Sequence, residues 1–487
     1  MPPRLEGILD AEYWKGFSGS EVKVALTSRA ARWLIDLIRP SFWGKVGSAA
    51  SGKPLRSTAY LDGLRGFAAL MVYWLHHQLW AHEPPEMNWA YENAFGWQGR
   101  YYFATFPGIR LFFSGGHFAV TMFFVISGYV LSAKPLSLIH AGEFVKLGDN
   151  VGSALFRRWL RLHIPVIGTT FAFLTILHLF GLRSATFEVE KSWRAEVWKW
   201  YRELNDFTFI FRGGGEPWFT YNFHTWSIPV EFRGSIVIYT CLMAFSRCTR
   251  NARLWCQVAL IVYFLWIVDG WFCALFMSGM LLCDLDLLAA NNDLPDFLTS
   301  FKPYQDNIYY ALFIVSVYLG GIPCQNNDVT TLREAFGWHY LSYLKPQAMF
   351  DYKWFFLFWA STFMVVSIPR IPWLKAFFET RFCQYLGRIS YAFYLVHGPV
   401  LWILGDRLYA AVGWTKESQI KTIPNWINLF PLPKGGPLGL EPSFLVLHLI
   451  LLPATLWMAE VVTKLFDDPS IRVSQWLYNE AKPPSEK

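Results

Sequence analysis

Charge is scarce in this sequence. Asp, Glu, Lys and Arg make up 16% of its 487 residues, where an ordinary soluble domain carries about 25%. That shortage excludes disorder, a coiled coil and a plain soluble enzyme. Cysteines stand only at 241, 248, 256, 273, 283, 324 and 383. Their number is odd, no Cys-x-x-Cys occurs, and most lie in or beside apolar segments, so neither a disulfide framework nor a zinc site is expected. There is no P-loop, no His-Glu-x-x-His, no Gly-x-Ser-x-Gly with a triad, no metal-ligand cluster and no His-x-x-x-x-Asp pattern. Apolar and polar residues do not alternate, which excludes a transmembrane barrel. No internal repeat stands out, and no signal peptide is visible. The first long apolar run begins near Leu61 and reads as an uncleaved first span.

Apolar residues dominate what is present. The sequence is 54% hydrophobic, with 43 Phe, 25 Trp and 23 Tyr. Ten apolar windows read as membrane spans: 61–81, 117–133, 162–180, 226–246, 254–268, 271–289, 308–323, 354–369, 389–405 and 443–463. A bilayer core requires about 17–25 residues per helix, so the shorter windows have loose ends. The fifth and sixth are joined only by Asp269-Gly270. With the N-terminus inside, the inner segments hold 26 Lys and Arg in 156 residues, and the outer segments hold 15 in 149. Inner loops of membrane proteins carry this excess, so the net charge of +7 implies a bilayer and not nucleic acid. The expectation is an all-α integral membrane protein of about ten transmembrane helices with both termini cytosolic. Residues 1–59 form a cytosolic segment, 60–465 the membrane domain and 466–487 a cytosolic tail. Residues 22–43 read as an interfacial amphipathic helix. The outer loops 181–225 and 406–442 are long, the first carrying Gly213-Gly214-Gly215, and loops of that kind serve as lids or binding loops.

Arg65 and Arg233 lie inside spans, where a cation is costly and points to function. The bland alternatives are a local pair of Arg65 with Asp62, and Arg233 facing a cavity or another helix. Arg65 and His76 are eleven residues apart, close to three helical turns, so they share a face and sit ~16 Å apart along the axis. Histidine is the usual general base near neutral pH, although one in a span is as often a packing residue. His77 points about 100° away and reads as packing. Ser127, in Phe123-Phe124-Val125-Ile126-Ser127-Gly128-Tyr129, reads as close helix packing rather than a nucleophile. Arg158 and Arg161 share a helix face before the third span, as a positive-inside anchor or a phosphate clamp. Glu231, in Thr225-Trp226-Ser227-Ile228-Pro229-Val230-Glu231-Phe232, requires a partner inside the membrane, either Arg233 or another helix. Ser390, Tyr394 and His397 make one polar stripe, which faces protein or water as a catalytic pocket or as structural hydrogen bonds.

In this order, the segments Leu61–Leu70 with His76, Phe123–Tyr129, Arg157–Pro165, Thr225–Phe232 and Gly387–His397 resemble the acyltransferase-3 family of integral-membrane acyltransferases. The resemblance spans about 340 residues and looks fungal. It implies a ten-helix core that moves an acyl group, usually acetyl from cytosolic acetyl-CoA, onto a hydroxyl. Carried over, the essential histidine is His76, with Glu231 and His397 in catalytic or orienting roles. Arg65, Arg158 and Arg161 would bind acyl-CoA, and Trp226, Ser390 and Tyr394 would line the acceptor pocket. The chain departs from the family pattern at Ala119 or Val120 and at Pro229. No cofactor or metal is expected. Acyl-CoA is the co-substrate, and the partners are a hydroxyl-bearing small molecule and the bilayer, with no nucleic acid. The expected acceptor is a hydrophobic metabolite of terpenoid or polyketide type, handled in the endoplasmic reticulum or another endomembrane. The alternatives are O-acetylation of a glycan and small-molecule transport.

Overall fold

A computed structural model describes residues 31–40, 55–82, 103–106, 108–184, 188–211, 218–324 and 327–483. The chain divides into two units, residues 1–54 and 55–487. In the first, residues 31–38 are helical, with Trp33, Leu34, Ile35 and Ile38 exposed. The rest of the amphipathic segment at 22–43 lies outside the described residues, as do Gly213–Gly215.

The second unit is all-helical, without a strand among the described residues. Its principal helices are α1 Ala59–Ala81, α2 Gly116–His140, α3 Phe144–Leu179, α4 Trp193–Thr208, α5 Ser227–Ala244 and α6 Arg250–Val262. They continue with α7 Trp271–Ala290, α8 Gln305–Gly320, α9 Tyr352–Ser367, α10 Arg381–Val400, α11 His448–Val462 and α12 Asp468–Glu480. Each of the ten apolar windows overlaps one of these. Among the described residues, four helical stretches are long and apolar enough to cross a bilayer: Gly116–His140, Phe144–Leu179, Trp271–Ala290 and His448–Glu480. A fifth is reached if the sharply bent pair Tyr352–Arg370 and Pro372–Phe378 is one span.

Two helical stretches run past their apolar windows. The third window is only the outer half of a 36-residue helix that takes in Arg157, Arg158 and Arg161. The expected tail at 466–487 contains α12, which continues the last apolar helix and packs against α3.

Glycine sets the closest helix contacts. A side chain at Gly128 on α2 would fall on the carbonyl of Phe276, and one at Gly279 on α7 would fall on that of Val125. Gly66 on α1 and Gly387 on α10 leave equally little room for each other's helix. Small residues let backbones approach where lipid supplies no hydrophobic drive between helices. The buried carboxylate of Asp284 is paired, as an apolar surrounding requires. Asp284 on α7 accepts from Arg253 at 2.7 Å, from Gln257 at 2.9 Å and pairs with His140 at 2.8 Å.

The outer segment between α3 and α5 folds inward. Ser192 caps α4 by accepting from the Ala195 amide. Glu196 on α4 is buried. Burial pushes its carboxyl up, but hydrogen bonds from the Tyr221 hydroxyl, the Glu190 amide and His178 outweigh that and hold it below the ordinary carboxylate range. Tyr221 lies in a 3₁₀ turn, Thr220–Trp226, in which Tyr221, Asn222, His224 and Thr225 are all buried. The residues ahead of α5 therefore enter the bundle and do not rest at its outer edge.

Candidate active site

The site is built where α1 and α10 run side by side. At one end, Arg65 donates to the Ser390 hydroxyl at 3.0 Å and to the Gly387 carbonyl at 3.1 Å, and pairs with Asp62 at 3.2 Å. Three turns along, His76 Nδ1 meets His397 Nε2 at 2.7 Å. The eleven-residue interval on α1 thus faces the ten-residue interval from Gly387 to His397 on α10.

A third imidazole joins them. The His224 ring stacks on His76 with centroids 3.6 Å apart and planes 10° apart, and lies 4.8 Å from the His397 ring. Its position follows from a proline. Pro399 has no amide hydrogen, so the Leu395 carbonyl one turn earlier loses its helical donor. The Asn222 side-chain amide donates to that carbonyl at 2.8 Å. The Tyr394 hydroxyl donates to the backbone carbonyl of His224 and lies 2.8 Å from the Ser227 hydroxyl. Beyond Val400 the helix widens into a π turn, Leu401–Gly405, which sets Trp402 against Phe223 and His224.

These partners assign the protons. The other ring nitrogen of His397 faces the backbone carbonyls of Phe393 and Tyr394, which only accept. With hydrogen on the nitrogen those carbonyls can hold, Nε2 is left as an acceptor for the Nδ1–H of His76. His76 Nε2 is then a bare lone pair. That arrangement suits a general base.

The three imidazoles have ligand atoms within 4.8 Å of one another, close enough in distance to hold a metal ion. Their orientation does not suit one as placed. Imidazole lone pairs lie in the ring plane, and the planes of His76, His224 and His397 are within 13° of parallel. His76 and His397 aim nitrogens at each other across a hydrogen bond and His224 lies flat over His76, so a ring would have to turn to share an ion.

Glu231 does not join the histidines. It accepts from Arg158 and from the Ser127 hydroxyl at 2.5 Å, while Arg158 also donates to Ser235 at 2.9 Å. Of the two alternatives, the partner of Glu231 is another helix and not Arg233, which donates to the Ile210 carbonyl at 2.7 Å. Arg158 stands just ahead of the third apolar window and Glu231 five residues past the outer start of the fourth. They meet because α5 begins inside the bundle. Arg161 is exposed, has no carboxylate in ion-pair range among the described residues, and lies within electrostatic reach of Arg65, Arg157, Arg158 and Asp467.

Trp226 belongs to an aromatic wall with Trp271 and Trp354, the latter two stacked at 3.9 Å and 4°. His117 packs on Trp354 at 5.8 Å, and its ring lies within electrostatic reach of His76. His77 is buried and bonds Tyr409 at 2.9 Å, as a packing residue does. Sequence reasoning passed over His224 and His117. The available signal for His224 was an imidazole two residues ahead of the fourth apolar window.

A family profile described as an acyltransferase domain matches residues 58–433. An O-acetyltransferase of Phomopsis amygdali, PaAT-1, is 31% identical over 91% of this chain and 88% of its own. The acyltransferase clz18 of Cochliobolus lunatus is 23% identical over 88% of this chain and 97% of its own. The acyltransferase R4 of a Phoma species is 23% identical over 74% and 86%. No solved structure matches.

Proposed function

The chain belongs to this membrane-bound acyltransferase family, and from that premise we propose that it is an O-acetyltransferase that uses cytosolic acetyl-CoA to acetylate a hydroxyl of a hydrophobic small metabolite. Membership in an acyltransferase family favours transfer over transport. The observation that carries the reading is the hydrogen-bonded pair His76–His397; in the tautomer with His76 as donor, its other nitrogen is left as acceptor. His76 Nε2 takes the proton of the acceptor hydroxyl as its oxygen attacks the thioester carbonyl. The carbon–sulfur bond breaks, and the CoA thiolate takes that proton from the imidazolium. His397 holds His76 in the required tautomer, and His224 covers its face. Glu231 fixes Arg158, and together they brace the helices around the site. Arg161 attracts the donor phosphates. Arg65 marks the entry of the pantetheine arm, which runs ~16 Å along α1 to His76. Trp226, Tyr394 and Ser390 border the acceptor. The relative named as an O-acetyltransferase supports acetyl as the acyl group. The aromatic wall at Trp226, Trp271 and Trp354 supports an apolar acceptor. We take the chain to cross an endomembrane ten times with both termini cytosolic.

The test is transfer of label from acetyl-CoA in membranes carrying wild type or His76→Ala, with an extract of host metabolites as acceptor. One labelled organic-soluble product is expected, reduced about 10²–10⁴-fold by the substitution. Equal turnover of the two proteins would remove the base assignment. Label appearing in glycan would move the acceptor class.

A further inference from the structure

Away from the histidines, a cavity of about 630 Å³ opens where the end of α2, the turn into α3, the first half of α3 and α12 meet. Four cations line it: Lys134, Lys146, Arg157 and Lys482. Two carboxylates, Glu143 and Asp149, oppose them. The lining carries a net charge of +2, and one pair forms within it. Glu143 is taken by Lys146 at 2.8 Å. Arg157 donates to the Ser153 carbonyl at 3.0 Å and to Gln475 at 2.6 Å, both neutral, so its charge stays uncompensated. Lys134 and Lys482 have no carboxylate in ion-pair range among the described residues, and Lys482 lies over the Tyr478 ring at 5.2 Å. The lining thus combines unpaired cations, side-chain amides and a flat aromatic face.

We propose that this cavity seats the phosphorylated nucleoside end of the acyl donor, with its 3′-phosphate between Lys134 and Lys482 and its base toward Tyr478. The proposal rests on the acyl-CoA reading above. Three observations lead to it. Arg158 is spent on Glu231, and Arg65 on Asp62, Ser390 and Gly387, so the arginines nearest the histidines have little left for a multiply charged group. The cavity shares Arg157 with that arginine cluster. Arg161 stands one turn, about 6 Å, further along the same face of α3, within electrostatic reach of Arg65. Arg157, Arg161 and Arg65 therefore form a cationic path from the cavity to the helix that ends at His76. A dianionic phosphate and a purine match point charges and an aromatic face.

The test uses the full chain in phosphatidylcholine vesicles and measures binding of radiolabelled adenosine 3′,5′-bisphosphate to wild type and to a Lys134→Gln, Lys482→Gln double variant. Affinity should fall by about tenfold or more, as loss of charge-assisted contacts implies. The KM for acetyl-CoA should rise by a similar factor, with kcat little changed, and the KM for 3′-dephospho-acetyl-CoA should not move. Bisphosphate binding that is absent or indifferent to the substitutions overturns the subsite. So do equal KM shifts for the two donors. If bisphosphate is displaced by adding phosphatidylserine, and only vesicles containing that lipid distinguish the variant, the cavity takes a lipid headgroup and the nucleotide assignment falls. Wild type that binds bisphosphate but transfers nothing from acetyl-CoA would instead overturn the donor reading alone.

Discussion

His76 Nδ1 and His397 Nε2 lie 2.7 Å apart on neighbouring helices, and backbone carbonyls within reach of His397 favour His76 as the donor. The bond leaves one nitrogen of His76 as an acceptor. A carboxylate behind the base would do the same work, yet Glu231 is engaged elsewhere. In His397→Ala, kcat should fall on the order of 10²-fold while KM changes little. His397→Gln retains a side-chain acceptor and should recover part of the loss. Equal loss in both, or a loss confined to KM, would contradict a positioning role.

The pair Arg158–Glu231 should behave as a unit. Removing either partner strands a buried charge, which costs about 3–5 kcal/mol. Arg158→Gln and Glu231→Gln should each lower the unfolding temperature sharply in detergent. The double variant should be less destabilised than the sum of the two. Strict additivity would mean that the contact carries no coupling.

Two glycines should respond in opposite ways to alanine. Gly128→Ala pushes a methyl onto the backbone of α7 and should destabilise by about 1–3 kcal/mol. Gly148 on α3 has open space around it, so Gly148→Ala should be neutral or stabilise by about 0.5–1 kcal/mol through helix propensity. Thermal unfolding of both variants checks the contrast.

Asn222 replaces a helical donor that Pro399 cannot supply. Asn222→Ala should destabilise by about 1–3 kcal/mol, the cost of a buried carbonyl without a partner. In a Pro399→Ala background the backbone amide returns, and Asn222→Ala should cost much less. If it costs the same in both backgrounds, the substitution of one donor for another is wrong.

Glu196 gives the outer segment a pH dependence. Its carboxyl titrates below its unfolded value, so its contribution is complete above the unfolded pKa of about 4.3 and is lost as pH falls through the folded value. Wild type should lose stability on acidification below about pH 5, and Glu196→Gln should lose less. A steeper acid loss in the variant would reverse the sign.

Much of this was legible in the sequence. Helix positions followed from apolar windows because a bilayer permits little else. The facing of Arg65 and His76 followed from helical periodicity, and the structure sets both against α10. Depth was harder to read. Apolar windows locate the lipid-matched part of a helix, so they missed that α3 runs on through Arg157 and that the turn before α5 is buried. That inward turn is what brings Glu231 to Arg158 and His224 to His76. The agent is a tertiary hydrogen bond from Asn222, which leaves no period or composition bias to detect.

The paired intervals, Arg65 to His76 on α1 and Gly387 to His397 on α10, amount to a ruler. Two parallel helices of fixed rise cannot slide past one another while Gly66 and Gly387 interlock, so the span between cation and imidazole is as rigid as the fold. A site of this construction meters reach. Under the donor reading, that fixed length selects donors whose reactive carbonyl lies the same distance from the group held at Arg65.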